Sequence, residues 1–367
     1  MRKTIVLLLA TALFACQSPL KEKYTLRGEV EGQIAGLAYL QDRVSGQMVD
    51  LDSARIYNGV FTFEGTMDSP QMYYVRIDGV PGRIAVFMEN SEIQLNITQR
   101  EPLVYTVEGS KSHDIFTQLG DLVAPYDERS RYVQSELGEA EKAGNAEAIA
   151  EFRKMSDELR ERKKEEVLSF IREYPDMAVS VFIAQRQLSH GASPEELEKI
   201  FAVFDTSLQG TRYYDEMEKN LNTLRRVATG NPAIDFTLNN TEGESISLSN
   251  FQGQVVLISF WASWCPYCRD SNPELVRIYE KFGGEGFEVL GVSLDRTHEA
   301  WVRGIEEDGL KWPQVSDLQG WQSGPAAEYA VRSIPQNVLV DQNGIIIGRN
   351  LDYYDLEEKL PLLLAGV

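Results

Sequence analysis

Trp264-Cys265-Pro266-Tyr267-Cys268 stands between an apolar run, Val255-Val256-Leu257-Ile258-Ser259-Phe260-Trp261, and a segment from Arg269 to Phe282 that reads as a helix. Two thiols separated by two residues at a strand-to-helix junction suit reversible disulfide chemistry. Cys265 falls at the helix N-terminus, where unpaired backbone N–H groups and the helix dipole favour an anion. The thiolate is the attacking species, and such a setting lowers a cysteine pKa from about 8.5 into the range of roughly 3.5–7.5. Pro266 suits the first helical turn, because the N–H it lacks would have no partner there. Cys268, one turn on, is spaced to resolve a mixed disulfide formed at Cys265. A zinc site needs about four ligands. The chain offers one further cysteine, Cys16, and three scattered histidines, His113, His190 and His298. The expectation is therefore a redox-active pair, with no metal and no other cofactor.

A CxxC pair beside a strand–helix pattern reads as thioredoxin-like, and the surrounding residues narrow this. Pro232-Ala233-Ile234-Asp235-Phe236, Leu248-Ser249-Asn250-Phe251-Gln252-Gly253-Gln254 and Phe260 to Cys268 are followed by Gly291-Val292-Ser293-Leu294-Asp295 and Ser333 to Asp341. Together they resemble the TlpA-type thiol–disulfide oxidoreductases of bacterial envelopes, over roughly the last third of the chain. The resemblance implies that Pro335 is cis and faces the disulfide, with Ile334 pairing to substrate backbone. Trp264, Tyr267 and Pro335 would then rim the disulfide as an apolar collar for extended protein substrates.

The chain also departs from its relatives. Thioredoxin carries a buried aspartate where this sequence has Ser259, and several envelope relatives carry a glutamate where it has Ser271. Either carboxylate would accept the proton of the buried cysteine, so the resolving step here needs another acceptor; Asp270 and Glu274 are expected to face solvent. A thiol peroxidase is a weaker alternative, because peroxiredoxins place a threonine where this chain has Ala262. The Pro266-Tyr267 pair resembles glutaredoxin's, which implies a potential above thioredoxin's roughly −270 mV.

The N-terminus points to export. Met1-Arg2-Lys3 precedes an apolar run from Ile5 to Ala15 and then Cys16, the pattern of a secretory signal too short to span a bilayer. Leu13-Phe14-Ala15-Cys16 resembles a bacterial lipobox, which implies that Cys16 is lipidated and anchors an envelope protein facing the periplasm. With Cys16 so committed, only the active pair remains and no structural disulfide is available. A net charge of −20, from 36 basic and 56 acidic residues, argues against nucleic acid, whose binding relies on Lys and Arg.

The whole reads as a multidomain chain: signal peptide 1–15, tether 16–22, an all-β sandwich or barrel over 23–108, a helical region over 109–229 and an α/β thioredoxin fold over 230–367. Short alternating strands fill the β region, and Asn58-Gly59 signals a hairpin. That region resembles an uncharacterised β-domain preceding thioredoxin modules in Bacteroidetes lipoproteins. The Ala-, Glu-, Lys- and Arg-rich stretch from Glu136 to Glu173 favours helix, broken at Gly144-Asn145. Ser193-Pro194 marks a helix start, and Thr229-Gly230-Asn231-Pro232 marks a hinge. Four strands are expected in the last domain: Val255–Phe260, Phe287–Val292, Val338–Asp341 and Ile345–Arg349. The expected partners are protein thiols and disulfides, a membrane electron donor of unspecified identity, and the membrane through the lipid. A lipoprotein that binds through its β-domain, with an accessory redox fold, is the alternative from a different class.

Overall fold

Alternation of inward and outward residues builds the N-terminal domain. In β1 (Tyr24–Val30) Leu26, Gly28 and Val30 turn inward while Arg27 and Glu29 face water, the period-2 pattern of a half-buried strand. After β2 (Gly36–Val44) and β3 (Gln47–Ile56) come β4 (Val60–Gly65), β5 (Gln71–Ile77), β6 (Ile84–Met88), β7 (Glu92–Arg100) and β8 (Leu103–Glu108). They form two four-stranded sheets, ordered β4-β1-β7-β8 and β3-β2-β5-β6. Leu26, Phe61, Phe63, Leu95 and Ile97 from the first sheet share one core with Ala38, Val75, Ile84 and Val86 from the second. β1 is antiparallel to β4 and parallel to β7.

This computed structural model describes residues 22–32, 35–44, 46–100, 102–189, 191–284 and 286–365. The expected signal peptide, Cys16, nearly all of the tether, and His190 lie outside the described residues. The chain divides into two compact units, one with the described residues up to Leu40 and Asp52–Lys111, the other with Gln41–Leu51 and the described residues from Ser112 onward.

Asn58 and Gly59 both take positive φ, 50° and 77°, and Tyr57 and Val60 exchange backbone hydrogen bonds of 2.9 and 3.0 Å. The tight turn forms as expected, but it does not close a hairpin within one sheet. Beyond the Tyr57–Val60 bridge, β3 joins one sheet and β4 the other. Turn chemistry is local, whereas sheet membership depends on which core each strand faces.

The helical region begins with α1 (Lys111–Lys142) and α2 (Ala146–Arg172). Gly144 takes φ 64°, and Asn145 caps α2 by accepting from the Ala148 N–H at 3.2 Å. Lys163 reaches back to Asp127 at 2.6 Å, so the two helices lie against each other. The apolar stripe of Ile149, Phe152, Met155 and Leu159 is half-buried. α3 (Ala178–Gln187), α4 (Pro194–Phe201) and α5 (Arg212–Arg226) follow. Ser193 and Glu196 make a reciprocal capping box at the start of α4, satisfying two helix-end donors.

The C-terminal domain is a seven-stranded sheet with the order β10-β9-β13-β12-β11-β14-β15. Its strands are β9 (Thr237–Asn239), β10 (Ser245–Ser247), β11 (Val255–Trp261), β12 (Phe287–Ser293), β13 (Gln314–Ser316), β14 (Gln336–Val340) and β15 (Ile346–Arg349). Its helices are α6 (Pro266–Phe282), α7 (His298–Asp308), α8 (Gly324–Glu328) and α9 (Tyr353–Leu364). β11 runs parallel to β12 and antiparallel to β14, and all seven of its residues are buried. This is the α/β thioredoxin fold expected from the motif. Three strands were not expected, β9, β10 and β13, each three residues long.

The expected hinge is also more firmly held than its Gly-Asn-Pro composition implies. Gly230 N donates to Ile346 O at 2.8 Å, and Ile346 N to Asn231 O at 2.9 Å. Val227, ahead of the hinge, is fully buried in the core of the C-terminal domain, and its carbonyl accepts from Arg349 at 3.2 Å.

A Cβ at Gly28 would meet the Phe61 ring directly across the β1–β4 pair. Gly28→Ala should therefore destabilise the N-terminal domain by about 1–3 kcal/mol, the usual cost of overpacking, read as a lower denaturation midpoint. A fragment starting at residue 226 should melt higher than one starting at 231, because only the longer one keeps Val227. Equal midpoints would show that Val227 adds nothing to the redox core.

Candidate active site

The site grows from the end of β11. Flanked on both sides by strands, β11 delivers Trp261 to one edge of the sheet, and the chain turns through Ala262, Ser263 and Trp264 into α6. Cys265 is the N-cap of that helix, with extended backbone (φ −94°, ψ 106°). Its Sγ accepts from the Cys268 N–H at 3.2 Å, the role that a serine or aspartate oxygen usually fills at this position. Pro266 occupies the first helical turn, as expected. Cys265 and Cys268 are joined as a disulfide with their Cα atoms 5.3 Å apart. Cys265 is 4% exposed and Cys268 0%. Both sulfurs are thus largely covered, and the slight opening lies at Cys265.

The Ile334–Pro335 peptide bond is cis, matching the implication of the resemblance. It sits just before β14, the strand hydrogen-bonded to β11, and brings the Ile334 carbonyl oxygen within 3.6 Å of Cys265 Sγ. Around this contact the surface is apolar. Trp264 is 51% exposed, Tyr267 72% exposed, and Pro335 is also exposed. Exposed large aromatics beside a reactive group mark a contact surface more readily than scattered ones do. Trp321 joins this collar, its ring centroid 6.0 Å from that of Trp264. Sequence reasoning missed Trp321, which lies in a single 3-10 turn, Gly320–Gln322, too short to show a pattern.

Asp295, the last residue of the Gly291–Asp295 motif, holds the loop before the cysteines. It is fully buried. Its carboxylate accepts from the Ser263 backbone N–H at 3.0 Å, the Ser263 hydroxyl at 2.6 Å and the Ser293 hydroxyl at 2.8 Å. Three donors compensate the burial of the charged group. Arg269 steadies the other side of the loop, donating to Ser263 O at 3.3 Å and pairing with Asp308 and Glu307 on α7. The Glu307 and Asp308 partners hold its guanidinium above the usual arginine range.

Asp270 and Glu274 face solvent, and Glu274 pairs with Arg277 at 2.7 Å. Ser259 is buried in β11, and Ser271 donates to the Cys268 carbonyl at 3.0 Å. Among the described residues no group of three or more His, Cys, Asp or Glu side chains could hold a metal ion. None of their helices is long and apolar enough to cross a membrane.

This geometry agrees with comparisons to known proteins. The AhpC/TSA family matches residues 229–349, and the domain of unknown function DUF4369 matches residues 24–116. The thiol-disulfide oxidoreductase ResA of Bacillus cereus (strain ATCC 10987 / NRS 248) is 30% identical over 146 residues, covering 40% of this chain and 78% of that protein. ResA of Halalkalibacterium halodurans is 29% identical over 148 residues, 40% of this chain and 80% of its own length. A solved thiol-disulfide oxidoreductase from Bacteroides fragilis NCTC 9343 shares 38% identity with a TM-score of 0.35, covering 36% of this chain and 98% of that one. The thioredoxin domain of a thiol-disulfide oxidoreductase from Bacteroides vulgatus shares 35% identity with a TM-score of 0.36, covering 37% and 98%. A paired CxxC capping a helix beside a cis proline, in a domain that spans most of the length of ResA at this identity, makes the chain an oxidoreductase, and it belongs to the thiol–disulfide oxidoreductase family through its C-terminal domain.

Proposed function

We propose that this enzyme exchanges the Cys265–Cys268 dithiol and disulfide with protein substrates of the bacterial envelope, as a reductant or isomerase. The observation that carries this reading is the disulfide at the start of α6, with Cys265 Sγ as the helix cap and Cys268 wholly buried. In the reduced enzyme the cap position favours a thiolate at Cys265, because the Cys268 N–H and the helix dipole both point at it. That thiolate attacks a substrate disulfide; one S–S bond forms at Cys265 as the substrate's own S–S bond breaks. Cys268 then loses its proton and attacks Cys265 Sγ. The mixed disulfide breaks, the electron pair leaves on the substrate sulfur, and that sulfur takes up a proton to become a thiol. The substrate gains two electrons and the enzyme pair loses two. Trp264, Tyr267, Ile334 and Pro335 would hold the extended substrate chain, with the Ile334 backbone as its partner.

The anchor belongs to the same proposal. Cys16, directly after Leu13-Phe14-Ala15, would carry lipid and hold the enzyme at the membrane, facing the periplasm, where a membrane electron donor could re-reduce it. Hydrogen peroxide is the substrate that separates this reading from a thiol peroxidase, since Ala262 stands where a peroxidatic site places threonine.

Two measurements test these assignments. Alkylation of the reduced protein near pH 7 should label Cys265 before Cys268, and Cys265→Ser should abolish insulin reduction, whereas Cys268→Ser should accumulate mixed disulfides. Preferential labelling of Cys268 would reverse the roles. Cys16→Ala should move the protein from membrane to soluble fractions of the producing cell; unchanged fractionation would mean that something else anchors it.

A further inference from the structure

The turn between β2 and β3 stands beside the aromatic collar. Residues Gln41–Leu51 group with the helical region and the redox domain in one compact unit. Within it, Arg212, the first residue of α5, pairs with Asp42 at 2.8 Å and donates to the Arg43 carbonyl at 3.3 Å. Gly46 takes φ 79°, and a Cβ built on it would lie 4.0 Å from Trp321 Cδ1, ordinary contact distance. Arg296, which follows Asp295, packs over Gly320, where a Cβ would lie 2.8 Å from its Nε. With its amide oxygen turned to Arg296, the orientation that satisfies both groups, Gln47 accepts from the two terminal guanidinium nitrogens at 3.1 and 3.2 Å. The same helix α5 also reaches the cis-proline loop, since Arg332 Nε donates to Asn220 at 3.3 Å.

Strand geometry then decides which way β3 faces. Side chains alternate along a strand, so Gln47, Val49 and Leu51 share one face while Ala54 and Ile56 turn to the core of the β-domain. Gln47 lies at the collar, so that face leads away from Trp321 along β3, over roughly 13 Å to Leu51 at about 3.3 Å per residue. Val49 is 42% exposed and Leu51 50%. β3 is also the end strand of its sheet, in the order β3-β2-β5-β6. A sheet edge beside exposed apolar side chains suits an extended polypeptide, whose backbone pairs with the edge while alternate side chains rest on the apolar face.

We propose that Val49 and Leu51 extend the substrate site: the outer face of β3, held at the collar by Arg212 and Gln47, binds the extended chain of a protein substrate on one side of its disulfide. This inference rests on the proposal that Cys265 exchanges with protein disulfides. The face continues the collar, because the surface runs from the cysteines through Trp264 and Trp321 to the tip of the hairpin. Its length matches about four extended residues of substrate. A small disulfide reaches the sulfurs without touching this face. Val49 and Leu51 thus select the substrate, while Asp42 and Arg212 hold the hairpin in position.

Single-turnover oxidation of the reduced full-length enzyme by insulin and by 5,5′-dithiobis(2-nitrobenzoate) separates this surface from the thiols. Val49→Ser combined with Leu51→Ser should lower the ratio of the second-order rate constant for insulin to that for the small disulfide about three- to tenfold, the worth of two partly covered apolar side chains. The loss should close at saturating insulin, because the face contributes binding and not chemistry. A folded double variant with the parent's ratio overturns the inference. So does a loss that persists at saturation, or a raised ratio, which would make the hairpin a shield. If the double variant does not fold, each single variant carries the same test. A parent dimer that the double variant breaks, with the ratio kept, assigns the face to a second copy and also overturns it. Cys265→Ser checks the underlying reading. If that variant still reduces insulin, or if the parent reduces only the small disulfide, exchange with protein disulfides at Cys265 falls, and this inference with it. If Cys265→Ser is inactive while the double variant keeps the parent's ratio, only the role of β3 falls.

Discussion

Everything at the site depends on where β11 stops. The strand is buried along its whole length and bonded to β12 on one side and β14 on the other, so it has no freedom to slide. A one-residue slip would turn every side chain to the opposite face. Its end therefore fixes the loop that presents Cys265, while β14, bonded to the same strand, fixes the approach of Ile334 and Pro335. Two segments about seventy residues apart in sequence are brought together by one shared neighbour. The cysteine pair is reactive because of a helix end, and that helix end stands where it does because of a strand.

The short distance from strand to helix leaves the intervening loop little structure of its own, and buried polar groups supply it. Asp295 takes three hydrogen bonds, two of them from Ser263, so the loop is tied to the end of β12. Arg269 ties it to α7. The disulfide itself closes only a small ring, and a cross-link contributes less the shorter the loop it closes. The cores around Leu257, Val289 and Leu339 must therefore hold the domain in both redox states. That suits a bond meant to be broken in every cycle.

Much of this could be read from the chain because the informative residues are contiguous. Val255–Trp261 is an apolar run interrupted only by Ser259 and followed closely by a cysteine pair, and Phe287–Ser293 and Gln336–Val340 are strong strands. β9, β10 and β13 were not legible because three residues cannot display a period. Asn58-Gly59 correctly marked a turn, but no local signal says that the strands on either side enter different sheets. Trp321 and Asp295 escape a reading of the sequence for one reason. Each acts through a partner distant in sequence, Trp264 for the first and Ser263 for the second. A sequence read locally shows the residue but not its neighbour.

The two serines show how such a gap can mislead. Taken alone, Ser259 and Ser271 look like deficits, positions where relatives place an acid and this chain places nothing that can accept a proton. The fold changes the question from which base is missing to what fills the space. Ser271 turns its hydroxyl back onto its own helix, donating to the Cys268 carbonyl at 3.0 Å, and Ser259 is buried within β11. A carboxylate there would be both a proton acceptor and a standing charge against the Cys268 thiolate. Hydroxyls give up the first property and avoid the second, so losing the acid is not simply a loss for a site that has to release a thiolate.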